Sequence, residues 1–390
     1  MNLDMIKKEI KYKVGIVGFG GAGIALFLHF VNFPDCDVVS IFDIKEKAFE
    51  RARNYSDKFF LTSNFEDFLK TVDIVIISSP DSTHADYLCR SVRAGKHVLC
   101  EKPLTDSLQG IKDIMEVVRE NPQIIVGVQH QMRCLPVHLE IKKIIERNEL
   151  GNIGYIEGYY VHNLTGRAFE NDTWRLEENA TPLIYSGIHF VDVLRWLMNE
   201  EVIEVTGMAN NICFPEYPES DLNVILMKFK SGAIGKVVTA FGAARPQDHS
   251  IQIYGDKRSL FNNMLFSKDG SFKVFKQPIK NSIKGRKFAW IKDFTIINFS
   301  KFISFLLKLY PYNAQYNVGF FPIRLYEHTY AVEHSALNFL GAVRGENELD
   351  CTVIEALKSV AVALAGVEAY RTGKTVQVKD YLIDELLPSK

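Results

Sequence analysis

Residues 14–23, "VGIVGFGGAG", constrain this chain more than any other ten. An apolar, β-branched run ends in Gly18, Gly20 and Gly23, spaced G-x-G-x-x-G, and the helical-length stretch "GAGIALFLHFVNF" follows at once. A strand that passes into a helix through three glycines predicts a βαβ unit whose helix N-terminus turns its unpaired N–H groups toward an anion. Gly18 permits the tight turn, Gly20 lets the backbone approach a pyrophosphate, and Gly23 lets helix and strand pack closely. The acid that such a unit carries about 20 residues further on is Asp43, at the end of the strand-like "DVVSIFD". The expected dinucleotide contacts are therefore Gly18, Phe19, Gly20, Gly21, Ala22 and Gly23, with Asp43 accepting hydrogen bonds from the adenosine ribose. Its charge repels a 2′-phosphate, so NAD is expected before NADP; Lys45 nearby softens that preference. A turn or N-cap residue is the other reading of Asp43.

The alternation continues. "IVIISSP", "HADYLCRSVRAGK", "HVLCE", a helix near Ser107 to Glu120 and "IIVGV" read as strand, helix, strand, helix, strand. This predicts a doubly wound parallel sheet with ligands outside the carboxyl ends of its strands. With 390 residues the chain has room for two domains, drawn at 1–135 and 136–390. A net charge of -1 lacks the basic excess that nucleic-acid binding needs, which leaves small molecules as the expected ligands. The six cysteines are scattered without C-x-x-C or metal-ligand spacing, so no metal and a reducing cytoplasm are expected. There is no apolar signal core before the first strand, and no apolar stretch of about 18 residues that would predict a membrane span.

"VLCEKPLT", residues 98–105, places Glu101 and Lys102 where a buried strand ends, on the edge that faces the dinucleotide. A lysine beside a cationic nicotinamide loses its proton more readily and can exchange protons near neutrality. Together with "VGFGGAG", "SSPDSTHADY", "GKHVLCEKPL" and the downstream "SGIHFVDVLRWL", it makes the chain resemble the glucose-fructose oxidoreductase, inositol dehydrogenase and rhizopine catabolism (Gfo/Idh/MocA) family over nearly its whole length. The resemblance implies that Lys102 helps position the substrate and move its hydroxyl proton, and that Glu101 touches the cofactor. It implies that the loop of Ser78, Ser79, Pro80, Thr83 and His84 passes under the cofactor's ribose and diphosphate. Gln131 and Arg133 resemble the family's polar stretch after the last sheet strand, Trp174 and Arg175 a pair reaching back toward the cofactor, and His189 the catalytic histidine, with Asp192 three residues later. The substrate class implied is a carbohydrate or cyclitol.

One position departs from the pattern. Many members carry an aspartate four residues before the histidine, and here Tyr185 stands there; a tyrosine can still hydrogen-bond a sugar hydroxyl or shuttle a proton. If "YSGIHFVDVLRWLM" is helical, Tyr185, His189 and Asp192 fall at i, i+4 and i+7 on one face, with Ile188, Val191, Leu194 and Leu197 packing the other. The strand-like runs "IGYIEGYYVHN", "VIEVTGMANNI", "LNVILMKFK", "AIGKVVTAFGA" and "SIQIYG" predict a C-terminal α+β domain with a large, mostly antiparallel sheet, whose outer face in the resembled family often pairs subunits; a homodimer or homotetramer is expected. Two final helices, packing partly back on the first domain, are expected near 328–345 and 352–372. Residues 277–327 fit the pattern poorly and read as an aromatic insertion: a helix over the sheet or cleft, a subunit contact, or a membrane-surface helix, in that order. Beside the dehydrogenase reading stand a redox-neutral enzyme that recycles bound NAD and a non-catalytic sugar or dinucleotide sensor.

Overall fold

The structure of the protein is a computed structural model that describes residues 12–165, 181–245, 247–275 and 321–382, with side chains of the last segment from residue 329. Residues group into two compact units: 12–130 with 332–357, and 131–331 with 358–382 among those described.

The first unit runs β1 (Tyr12–Val17), α1 (Gly21–Phe30), β2 (Cys36–Phe42), α2 (Glu46–Arg53), β3 (Phe60–Thr62), α3 (Phe65–Leu69), β4 (Ile74–Ile77), α4 (His84–Arg93), β5 (His97–Cys100), α5 (Leu108–Glu120) and β6 (Val126–Val128). The sheet is parallel throughout, in the order β3-β2-β1-β4-β5-β6. That is the doubly wound order, with the change of direction beside β1, where a dinucleotide binds. The uninterrupted apolar runs of β1 and β4 follow from helices covering both faces: all four residues of β4 are fully buried. Val14, Ile16, Leu26, Phe27, Ile74 and Ile76 share one core with Val332, Ala336, Phe339 and Leu340 from a late helix.

The second unit contributes α6 (Pro136–Glu146), β7 (Ile153–Val161), α7 (Ile188–Met198), β8 (Val202–Asn210), β9 (Leu222–Phe229), β10 (Ile234–Ala240), β11 (Ile251–Gly255), β12 (Arg258–Phe261), β13 (Met264–Ser267) and β14 (Phe272–Val274). The residues of the late helices α8 (Phe321–Val343) and α9 (Val353–Thr372) are each divided between the two units, and β15 (Val376–Gln377) follows. The nine-stranded sheet has the order β14-β13-β12-β11-β7-β10-β9-β8-β15. Its described pairs are antiparallel except β7 with β10. β12 to β14 form a hairpin extension that the sequence reading did not include; these strands are short and partly exposed, so they carry little apolar periodicity.

Register settles what each face carries. Tyr155 pairs with Ile234 and Tyr254, and Glu157 with Lys236, which in turn stands opposite Leu226. The face turned away from α7 is therefore a mixed apolar surface, with Leu226, Ile234 and Tyr254 exposed around a Glu157–Lys236 ion pair. Residues 276–320 lie outside the described residues, as does the greater part of the aromatic insertion; residues 321–327 open α8. Among the described residues, no helix is long and apolar enough to cross a membrane.

Candidate active site

In the first unit, the glycine loop follows β1 directly. Gly18 has φ +83, and a Cβ there would lie 2.8 Å from the Ser79 backbone. A Cβ on Gly23 would lie 2.1 Å from the Gly18 carbonyl oxygen, so helix and turn tolerate no side chain. Gly20 differs: a Cβ there would meet no protein atom within 4 Å. Protein packing gives no reason for glycine at that position, and an approaching ligand does. Gly20 also forms the N-cap of α1 without a side-chain hydrogen bond, and the first turn of α1 holds no acid, so the helix end is open to an anion. Gly21 and Ala22 are exposed. This donor set fits the diphosphate of a dinucleotide.

Asp43 closes β2. One of its oxygens accepts the Phe19 N–H at 2.8 Å and the other the Lys45 N–H at 2.9 Å, so the turn holds the carboxylate in place. The Asp43 side chain therefore ties the glycine loop to the end of β2. Phe19 departs from its expected part. Its ring is fully buried against Phe27 and Tyr55, and only its backbone serves the loop. The reason is the direction of the residue: after Gly18 the chain turns its next side chain into the core.

The loop after β4 is tied to the same turn, since the Ser78 hydroxyl donates to the carbonyl oxygens of Val17 and Gly18 at 3.0 and 2.9 Å. The hydroxyls of Ser79 and Thr83 lie 2.7 Å apart, and Thr83 also donates to the Pro80 carbonyl at 2.7 Å. His84 was expected to serve the cofactor. The structure buries it completely and sets both ring nitrogens against backbone carbonyls.

Beyond β5, Glu101 and Lys102 are half-buried, and Pro103 is buried. The Glu101 N–H donates to the Ile77 carbonyl, and the Lys102 N–H to the Glu101 carboxylate at 3.3 Å. Burial pushes the Glu101 carboxyl above its ordinary value, against the pull of Lys102 and then His84. The glycine loop, Asp43, Ser79 and Lys102 thus stand at the carboxyl ends of β1, β2, β4 and β5.

In the second unit, a π-helical turn at Leu183–Gly187 leads into α7. Ile188, Val191, Leu194 and Leu197 are fully buried, as their spacing predicts. The three polar positions part company. Tyr185 stacks on Phe241 at 5.4 Å, its hydroxyl 3.1 Å from that of Tyr217. His189, 6% exposed, stacks on Tyr160 with ring centroids 5.7 Å apart and planes 10° apart. Tyr160 also packs on the cluster of Tyr185, Phe214, Tyr217 and Phe241, so it joins Tyr185 to His189. Asp192 turns elsewhere. Its two oxygens accept from Arg133 at 2.6 and 2.7 Å in a fully buried pair, and one also accepts the Ser359 hydroxyl at 3.1 Å. The π turn breaks the α-helical spacing that was to align all three, and the cation supplied by Arg133 claims the last. Gln131 lies in the same short 3₁₀ turn as Arg133. Trp174 and Arg175 lie outside the described residues.

Sequence reasoning missed Tyr160, His162, Tyr217 and His249. His249 is 4.6 Å from Tyr160, and His162 stacks on His249 at 5.7 Å. The available signal was strand parity: Tyr160 and His162 alternate along the end of β7 on the side that faces α7. Tyr217 and His249 come from loops and had no local signal.

Residues 12–130 match the family model described as an oxidoreductase family with an NAD-binding Rossmann fold, and residues 138–261 match the GFO/IDH/MocA C-terminal domain. The chain is 27% identical over 266 residues to the scyllo-inositol 2-dehydrogenase (NAD(+)) of Bacillus subtilis, covering 66% of this chain and 75% of that protein. It is 26% identical over 259 residues to the glucose-6-phosphate 3-dehydrogenase of the same organism, covering 63% and 73%. The crystal structure of scyllo-inositol dehydrogenase from Lactobacillus casei with bound NAD(H) and scyllo-inositol superposes with a TM-score of 0.72 at 18% identity, covering 95% of this chain and 99% of that one.

Proposed function

Because this chain belongs to the GFO/IDH/MocA family of NAD-binding oxidoreductases acting on CH–OH groups, we propose that its substrate is a cyclitol or a sugar, oxidised at one secondary ring hydroxyl. The observation that carries the reading is the row of groups along one sheet edge: an open glycine turn, a fixed carboxylate and a lysine at the ends of β1, β2 and β5. The names of the matched relatives, inositol and sugar dehydrogenases, support the substrate class.

Bound NAD supplies the hydride acceptor. Gly20 and the open end of α1 would receive its diphosphate, and Asp43 its adenosine ribose. Lys102 steadies the alkoxide that develops as the substrate hydroxyl is oxidised. The second unit offers a proton carrier of its own, His189, whose ring plane is set by Tyr160. Tyr160, His162 and His249 offer ring faces and N–H and O–H groups suited to a polyhydroxylated ring. Asp192 acts on His189 only through the helix they share, because its carboxylate is spent on Arg133.

The test is a panel of inositols and sugars assayed for NADH formation, followed by Lys102→Ala on the responsive compound. Turnover is expected to fall by about 10²–10⁴-fold while NAD affinity, measured by calorimetry, holds. A silent panel, or a Lys102→Ala enzyme as fast as the parent, would refute the reading.

A further inference from the structure

His84 opens α4 and is the one fully buried histidine among the described residues of the first unit. Its Nδ1 lies 2.6 Å from the Pro103 carbonyl oxygen and its Nε2 2.8 Å from the Ser79 carbonyl oxygen. A carbonyl oxygen only accepts, and a main-chain carbonyl cannot be flipped to offer a donor. Each ring nitrogen must then bring its own proton; in either neutral tautomer one nitrogen would press a lone pair on an oxygen at hydrogen-bond distance. A buried cation needs compensation nearby. The Glu101 carboxyl lies within electrostatic reach: burial raises it, Lys102 and then His84 pull it down, and Asp81 pushes it up.

The two carbonyls belong to different loops. Ser79 leaves β4 under the glycine turn, and Pro103 directly follows Lys102. The ring therefore spans the carboxyl ends of β4 and β5 as a strut. We propose that His84 is a doubly protonated positioning residue, whose two N–H groups tie the loop after β4 to the loop after β5 and so hold the Lys102 backbone in register with the cofactor turn. The consequence for turnover rests on the role given to Lys102 above; the protonation does not.

Two measurements separate these. In full-length protein labelled with ¹⁵N-histidine, one imidazole is expected to show both nitrogens at protonated shifts. Its assignment comes from the signal lost in His84→Gln. Should that variant not fold, neutron diffraction of the parent protein reads the same property, as deuterons on both nitrogens. A neutral ring in either measurement overturns the proposal, whatever the substrate proves to be. In the soluble variant, kcat is expected to fall by about tenfold or more while NAD affinity stays within about twofold, because the diphosphate turn and Asp43 are untouched. Equal losses in kcat and NAD affinity would instead make the strut a support of the cofactor turn and overturn its link to Lys102.

Discussion

Gly20 and Gly23, three residues apart, carry opposite reasons for lacking a side chain, and substitution separates them. At Gly20 the backbone has φ -88, which alanine accepts, and the added methyl meets no protein atom. Gly20→Ala should melt as the parent does and bind NAD about tenfold or more weakly, by calorimetry, since the methyl stands where the pyrophosphate must come. Gly23→Ala should lose about 1–3 kcal/mol of stability, because its methyl would press on the Gly18 carbonyl. Equal melting temperatures for the two variants would contradict this division. Glycine spacing made the turn readable in the sequence, because clearance between backbone atoms can be met in only one way. Phe19 was not readable. It occupies an unspecified position of the motif, and whether its ring meets ligand or core depends on Phe27 and Tyr55, which come from other elements.

At the scale of the element, α7 shows what periodicity conveys and what it does not. The apolar spacing located the helix, but nine of its eleven residues are buried, His189 and Asp192 among them, so burial singles out no face. The spacing did not reveal the π turn, whose extra residue is set by packing, nor that Asp192 would meet Arg133 across 59 residues of sequence. Replacing Asp192 with Asn leaves a guanidinium that is 4% exposed without its counter-charge. Asp192→Asn should therefore destabilise the protein by about 3 kcal/mol in urea unfolding, far more than an exposed ion pair would cost. A loss below about 1 kcal/mol would show the pair to be water-accessible in solution.

For the molecule as a whole, acid stability follows from a residue with no part in the chemistry. His138 in α6 is buried, sets its Nδ1 2.7 Å from the Met132 carbonyl, and is lowered by desolvation from 6.5 to about 4. The unfolded chain takes up this proton below its ordinary value while the folded chain does not. The stabilisation is thus present above about pH 6.5 and is lost as pH falls toward about 4, amounting to about 3 kcal/mol. Urea midpoints measured across that window should slope less in His138→Gln than in the parent; parallel slopes would rule His138 out. The alternating strands and helices made the parallel sheet legible, since burial on both faces writes each strand as a continuous apolar run. The long sheet was legible in its five main strands. Its β12 to β14 extension was not, because short half-exposed strands are held by neighbours and show little pattern of their own.

What could be known from the residues in order was local: backbone clearance at Gly18 and Gly23, an open turn at Gly20, the period of apolar side chains, and an acid and a lysine at strand ends. These name a dinucleotide fold because each is met within a few residues of chain. The partners of the polar groups belong to folding in three dimensions. His84 closes on Ser79 and Pro103, His189 on Tyr160, and Asp192 on Arg133 and Ser359, and a buried donor or acceptor takes whichever complement packing brings within reach.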